Sequence, residues 1–127
     1  TIMRGCNNFC SYCIVPHVRG RERSRPYNDI LKDVRNAVSK GMLDITLLGQ
    51  NVNSYQWRDI SFPDLLKYIA EDVPEIYRLR FITSHPKDLS DKLVYQMRDN
   101  SKLCEHIHLP LQSGNSDILE RMNRSYS

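Results

Sequence analysis

Apolar positions along the chain alternate between short contiguous runs and sets spaced three and four residues apart, with polar segments between them. Ile2-Met3 leads into a cysteine-bearing loop. Beyond the loop Asn28 caps a predicted helix whose face, Ile30, Leu31, Val34, Ala37 and Val38, keeps the 3.6-residue period until Gly41. Ile45-Thr46-Leu47-Leu48 reads as a buried strand, Gly49 to Tyr55 as a polar loop, and Ser61-Phe62-Pro63-Asp64 as the start of a helix carrying Leu65, Leu66, Tyr68 and Ile69. Leu79 to Thr83 gives a third strand and Ser84-His85-Pro86 a break, after which Ser90 caps a helix with Leu93, Val94 and Met97. Glu105 to Leu109 reads as a fourth strand, Pro110 to Asn115 as a loop, and Ile118, Leu119 and Met122 as a last helical face.

This alternation predicts an α/β fold of about four βα units, with a parallel sheet and right-handed crossovers: a partial (β/α) barrel of the TIM type. The 127 residues are about half of what a complete barrel uses. Residues 1–127 are therefore expected to form a single incomplete domain with a bare sheet edge, a piece of something larger. Parallel strands gather the loops that follow them at one rim, and those loops hold Cys6, Cys10 and Cys13, then Gln50, Asn51 and Asn53, then Ser84 and His85, then Gln112 and Ser113.

With 40% hydrophobic and 26% charged residues, disorder is excluded as the whole answer. Apolar runs such as Ile45–Leu48 fall far short of the ~20 residues that cross a bilayer, and the first residues lack the pattern of a secretory signal. A soluble, cytoplasmic protein without a membrane partner is expected. Net charge is only +3, but Arg4, Arg19, Arg21, Arg23 and Arg25 meet a single local acid, Glu22. Such a stretch suits a phosphate backbone, or is simply a solvated loop.

Of the 4 cysteines, Cys6, Cys10 and Cys13 form a C-x-x-x-C-x-x-C cluster, while Cys104 lies far away. Disulfides fit poorly, because one neighbouring thiol would be left over. A metal centre fits better. Zinc would need a fourth donor, for which His17 is the local candidate, whereas an iron–sulfur cluster with three protein ligands would leave one iron open. A zinc knot presenting Arg19–Arg25 to RNA is the non-catalytic alternative. A second metal reading places Cys104, His106 and His108 on one face of the fourth strand, with Glu105, Ile107 and Leu109 on the other.

Cys6-Asn7-Asn8-Phe9-Cys10-Ser11-Tyr12-Cys13 resembles the radical S-adenosylmethionine signature, with Tyr12 as the aromatic before the last cysteine. The segments Ile14-Val15-Pro16, Arg19 to Pro26, Leu47 to Tyr55, Thr83-Ser84-His85-Pro86 and His108 to Gly114 are similar to the methylthiotransferases, in particular those that act on isopentenylated adenosine in tRNA. The resemblance covers essentially the whole chain. It departs at His17, where many relatives carry Tyr.

The resemblance implies that Cys6, Cys10 and Cys13 hold three irons of a [4Fe-4S] cluster whose fourth iron chelates S-adenosylmethionine. Cleavage of that cofactor would give a 5′-deoxyadenosyl radical that takes hydrogen from C2 of the adenosine beside the anticodon, where a methylthio group is then installed. Tyr12, Gly49, Gln50, Asn51, Ser84 and Gln112 become candidate cofactor contacts, and Arg19, Arg21, Arg23 and Arg25 candidate RNA contacts. The expected partners are tRNA, an electron donor and two further domains of the same protein, one holding a second cluster and one gripping RNA. Without a second cluster this stretch alone would at most cleave S-adenosylmethionine. A methylthiotransferase acting on a different substrate is the remaining catalytic alternative.

Overall fold

Two short strands enclose the cysteine loop in the computed structural model, which describes residues 1–127. Strand β1 (Met3–Arg4) pairs antiparallel with β2 (Arg23–Ser24), and helix α1 (Val15–Arg19) lies between them. Pro16 sits in the first turn of α1, where its missing N–H costs nothing, and Gly20 ends the helix at φ +77°. Helix α2 (Tyr27–Ser39) begins directly after Pro26 rather than at the expected Asn28 cap. The Pro26 carbonyl already accepts from the N–H groups of Asp29 and Ile30, so Asn28 lies inside the first turn and is exposed.

Strand β3 (Asp44–Leu47) is followed by a single 3-10 turn, Val52–Ser54. A hairpin of β4 (Gln56–Trp57) and β5 (Ile60–Ser61), which the apolar pattern did not indicate, then leads into α3 (Phe62–Asp72). The Asp64 carboxylate caps α3 by accepting the Ser61 N–H at 3.2 Å. Strand β6 (Arg78–Phe81) leads to a 3-10 turn at Pro86–Asp88 and then to α4 (Asp91–Asp99). The expected Ser90 cap of α4 forms, its hydroxyl accepting the Leu93 N–H at 3.2 Å. Helix α5 (Ser116–Arg121) is capped by Asn115.

The sheet is smaller than expected. β3 and β6 form one parallel ladder, from Asp44↔Arg78 to Leu47↔Phe81. On one side the Ile2 N–H bonds the Leu48 carbonyl at 2.8 Å, and on the other Leu79 and Leu103 form a single parallel bridge. The segments therefore lie side by side in the expected chain order, but the four-stranded parallel sheet is reduced to one ladder with hydrogen-bonded flanks and no closed barrel. Glu105–Leu109 is not a strand. The His106 N–H turns back onto the Cys104 carbonyl at 2.8 Å, which destroys the two-residue alternation. The proposed common face of Cys104, His106 and His108 does not form: both histidines are exposed, and the Cys104 sulfur accepts from Arg80 at 3.3 Å.

One face of the ladder is covered by helices. Leu47, Leu79 and Phe81 share a core with Ile30, Leu31 and Val34 of α2, Leu65, Leu66 and Ile69 of α3, and Leu93 of α4. Phe62 meets Phe81 edge-on with centroids 5.1 Å apart. The opposite face carries Asp44 and Arg80, paired at 3.1 Å. No helix is long and apolar enough to cross a membrane.

Candidate functional site

The cysteine loop begins with a turn that only glycine can make. Gly5 lies at φ +79°, and a Cβ there would fall 2.1 Å from the Arg21 carbonyl oxygen. The chain thereby packs Cys6 against the end of α1, with the Cys6 N–H bonded to the Gly20 carbonyl at 3.1 Å. Asn7 and Glu22 exchange hydrogen bonds across the same closure, at 3.3 and 3.1 Å. Further along, the Cys13 N–H turns onto the Cys10 carbonyl at 3.0 Å. All the cysteines are free thiols, Cys6 and Cys10 buried and Cys13 half-buried. Burial pushes the Cys6 thiol up, against the hydrogen bond from the Asn8 backbone, and Glu22, Cys10 and Cys13 push it the same way.

The middle of the loop is held from the other end of the chain. The Ser11 N–H bonds the Met122 carbonyl at 3.0 Å, the Ser11 hydroxyl the Arg121 carbonyl at 2.7 Å, and the Asn123 amide the Phe9 carbonyl at 2.6 Å. Arg124, only 9% exposed, donates through Nη1 to the Cys10 sulfur and to the Tyr12 hydroxyl, both at 3.3 Å. Its Nη2 reaches the Pro110 carbonyl at 2.9 Å and its Nε the Tyr126 hydroxyl at 2.8 Å. Sequence reasoning singled out neither Arg124 nor Tyr126. No local signal separates Arg124 from the exposed Arg121.

The other rim residues divide by what they touch. Gln50 accepts the Gly5 N–H at 2.7 Å, so it positions the start of the cysteine loop. Gly49 permits close packing, since a Cβ there would lie 2.7 Å from the Met3 sulfur. Asn53 grips the backbone of His85 through two bonds of 2.9 Å, and the Val52 N–H reaches the Thr83 carbonyl at 2.9 Å, which joins the loops after β3 and β6. Lys87 donates to the Asn8 side chain, tying the second of these loops to the cysteines. Three buried polar atoms in this region have no partner: Asn8 Nδ2, Asn51 Oδ1 and Ser84 Oγ. Buried polar groups are normally satisfied, so these three call for a ligand or water. The His85 imidazole is held neutral, its pKa lowered to about 4 by burial and by the neighbouring Arg124 charge.

Tyr12 is half exposed with its hydroxyl against Arg124, and Gln112 is exposed at φ +70°. Arg19, Arg21 and Arg23 are exposed. Arg25 differs: it pairs with Asp33 at 2.8 Å and donates to the Thr1 carbonyl at 2.6 Å. His17 is exposed, its ring edge-on to Phe9 at 6.2 Å.

No three His, Cys, Asp or Glu side chains converge as ligands of a single ion, either around Cys6, Cys10, Cys13 and His17 or around Cys104. A single zinc ion needs donors gathered about one point, whereas a cubane spreads its ligand sulfurs over separate irons. Three free thiols on one loop, with no fourth side chain among them, suit the second arrangement.

The sequence profile of the Radical SAM superfamily matches residues 1–127. The chain belongs to this superfamily. Its cofactors are a [4Fe-4S] cluster and S-adenosylmethionine, and the free thiols of this loop and the unpartnered polar atoms of Asn8, Asn51 and Ser84 fit both. Similar relatives include the tRNA-2-methylthio-N(6)-dimethylallyladenosine synthases of Acetivibrio thermocellus, 59% identical over 131 residues, and of Thermoanaerobacter sp., 57% identical over 129 residues. That of Phocaeicola vulgatus is 56% identical over 131 residues. These matches cover 99–100% of this chain but only 27–28% of the relatives, so the chain spans little more than a quarter of their length.

Proposed function

We propose that the protein containing this chain is a radical S-adenosylmethionine methylthiotransferase that modifies a dimethylallyladenosine in tRNA at C2. The observation that carries the reading is the single loop of three free thiols, Cys6, Cys10 and Cys13, together with unpartnered buried side-chain atoms of Asn8 within that loop and of Asn51 and Ser84 in the loops after β3 and β6. The three cysteines would hold the cluster and leave one iron open to S-adenosylmethionine. When bound, the pair supplies one-electron cleavage of the sulfonium.

The chain's own residues bind, orient and exclude water. Asn51 and Ser84 offer the cofactor an acceptor and a hydroxyl already stripped of solvent, and Tyr12, Gly49 and Gln112 complete the proposed contacts. Gln50 contributes by holding Gly5, and with it the first turn of the loop. Arg19, Arg21 and Arg23 are free to meet the RNA backbone, while Arg25 is committed to Asp33. Residues 1–127 form one incomplete domain, part of a (β/α) barrel completed by strands elsewhere in a cytoplasmic protein. Its remaining partners are further domains of the same protein and an electron donor.

The test is anaerobic reconstitution of the full-length protein and of its Cys10→Ala variant. The unmodified protein should bind a cluster at Cys6, Cys10 and Cys13 and form 5′-deoxyadenosine; the variant should lose that cluster and the product. Retention of both, or a colourless protein holding stoichiometric zinc at these cysteines, overturns the proposal. Nucleoside analysis of tRNA from cells lacking the gene should show loss of the methylthio group.

A further inference from the structure

Arg124 poses a problem that the fold alone does not solve. Its side chain is nine-tenths buried, yet none of the ion pairs of the protein includes it. A buried guanidinium without an anion is costly. Its other partners are a carbonyl and two tyrosine hydroxyls, all neutral acceptors; the remaining one is the sulfur of Cys10. We propose that Arg124 is a positioning residue for the iron–sulfur cluster: its charge is matched by the Cys10 thiolate, and its fork fixes where that sulfur points.

This inference rests on the proposed role of Cys10 as an iron ligand. The guanidinium joins three segments that share no secondary structure: the cysteine loop through Cys10 and Tyr12, the loop after Leu103 through Pro110, and the C-terminal segment through Tyr126. Tyr126 extends the brace by donating to the Leu111 carbonyl at 2.7 Å, and its ring lies under the guanidinium with 5.1 Å between them. Hydrogen bonds to ligand sulfurs and nearby charge tune iron–sulfur potentials, and a buried cation favours the more negative, reduced cluster. Arg124 therefore raises the reduction midpoint and slows loss of iron.

The test uses the full-length protein reconstituted anaerobically, reading the cluster whose paramagnetic signal changes on adding S-adenosylmethionine. Arg124→Gln removes charge and fork together, so the midpoint should fall and iron affinity should drop about 10-fold or more. Arg124→Lys keeps the charge, so its midpoint should stay near that of the unmodified protein although iron is lost faster. A purely structural arginine would make the two variants alike. An unchanged midpoint in Arg124→Gln, or equal shifts in both variants, overturns the proposal. Should Arg124→Gln not fold, Tyr126→Phe leaves the guanidinium without its Nε partner; faster release of iron to a chelator supports the brace, and unchanged release overturns it. A cluster that persists in Cys10→Ala instead removes the reading on which the inference stands.

Discussion

The helix-covered face of the β3–β6 ladder and the cysteine loop lie in one small chain but are held by different forces. Across the ladder, Leu65, Leu66 and Ile69 are fully buried and pack against Leu79 and Phe81, so stability there scales with apolar area removed from water. The loop has little such area to bury: Phe9, Tyr12 and Ile14 are exposed. It is held by individual hydrogen bonds with distant residues: Gln50 accepts from Gly5, Arg124 donates to Cys10 and Asn123 donates to Phe9. Burial is non-directional and tolerates adjustment, whereas hydrogen bonds fix positions. A scaffold for metal ligands needs the second property and rests on the first.

The sharpest break in this contrast should come from Leu65→Ala. Removing a fully buried side chain from the core is expected to cost about 2–5 kcal/mol, read as a fall in the urea midpoint of the full-length protein. Iron binding should fail only as far as the fold fails. Gly5→Ala should do the reverse. Its side chain adds about 1–3 kcal/mol of positive-φ strain, and its methyl would strike the Arg21 and Gly20 backbone, so the closure that seats Cys6 must open and iron content should fall while circular dichroism stays close to that of the unmodified protein.

The smallest effect concerns His85, which Asn53 holds where the loops after β3 and β6 meet and whose ring faces Tyr126. Because the folded protein holds the imaidazole neutral down to about pH 4, its contribution is complete above the ordinary value of 6.5. As pH falls from 6.5 to about 4, the unfolded chain takes up a proton that the folded one refuses, and stability declines. His85→Asn keeps an acceptor for the Lys87 N–H but does not titrate, so its unfolding midpoint should depend less on pH in that window. Parallel pH profiles for the two proteins would return His85 to a packing role.

The same contrast explains what could be read in advance. Helices α2, α3 and α4 were legible because their apolar residues recur at helical spacing, and Ser90 capped α4 as expected. The hairpin of β4 and β5 was not, since strands of two residues are too short to show a period. The fourth strand was misread because Ile107 and Leu109 alternate correctly without a full ladder to join. In the site, the cysteines were legible because their spacing is local. Gln50 reads from the sequence as a rim residue and candidate cofactor contact, whereas its bond to Gly5 depends on how β1 lies beside β3. Arg124 lay beyond local reading altogether, because its meaning comes from a residue 114 positions away.

That separation also has a temporal meaning. During translation at about 5–20 residues per second, Cys10 leads Arg124 by roughly 6–23 s. For that interval the nascent thiols lack their guanidinium clasp and the backbone anchors at Arg121, Met122 and Asn123. The newborn loop is open to thiol chemistry before its latch exists, and it takes its final shape only once residues 121–124 have been made.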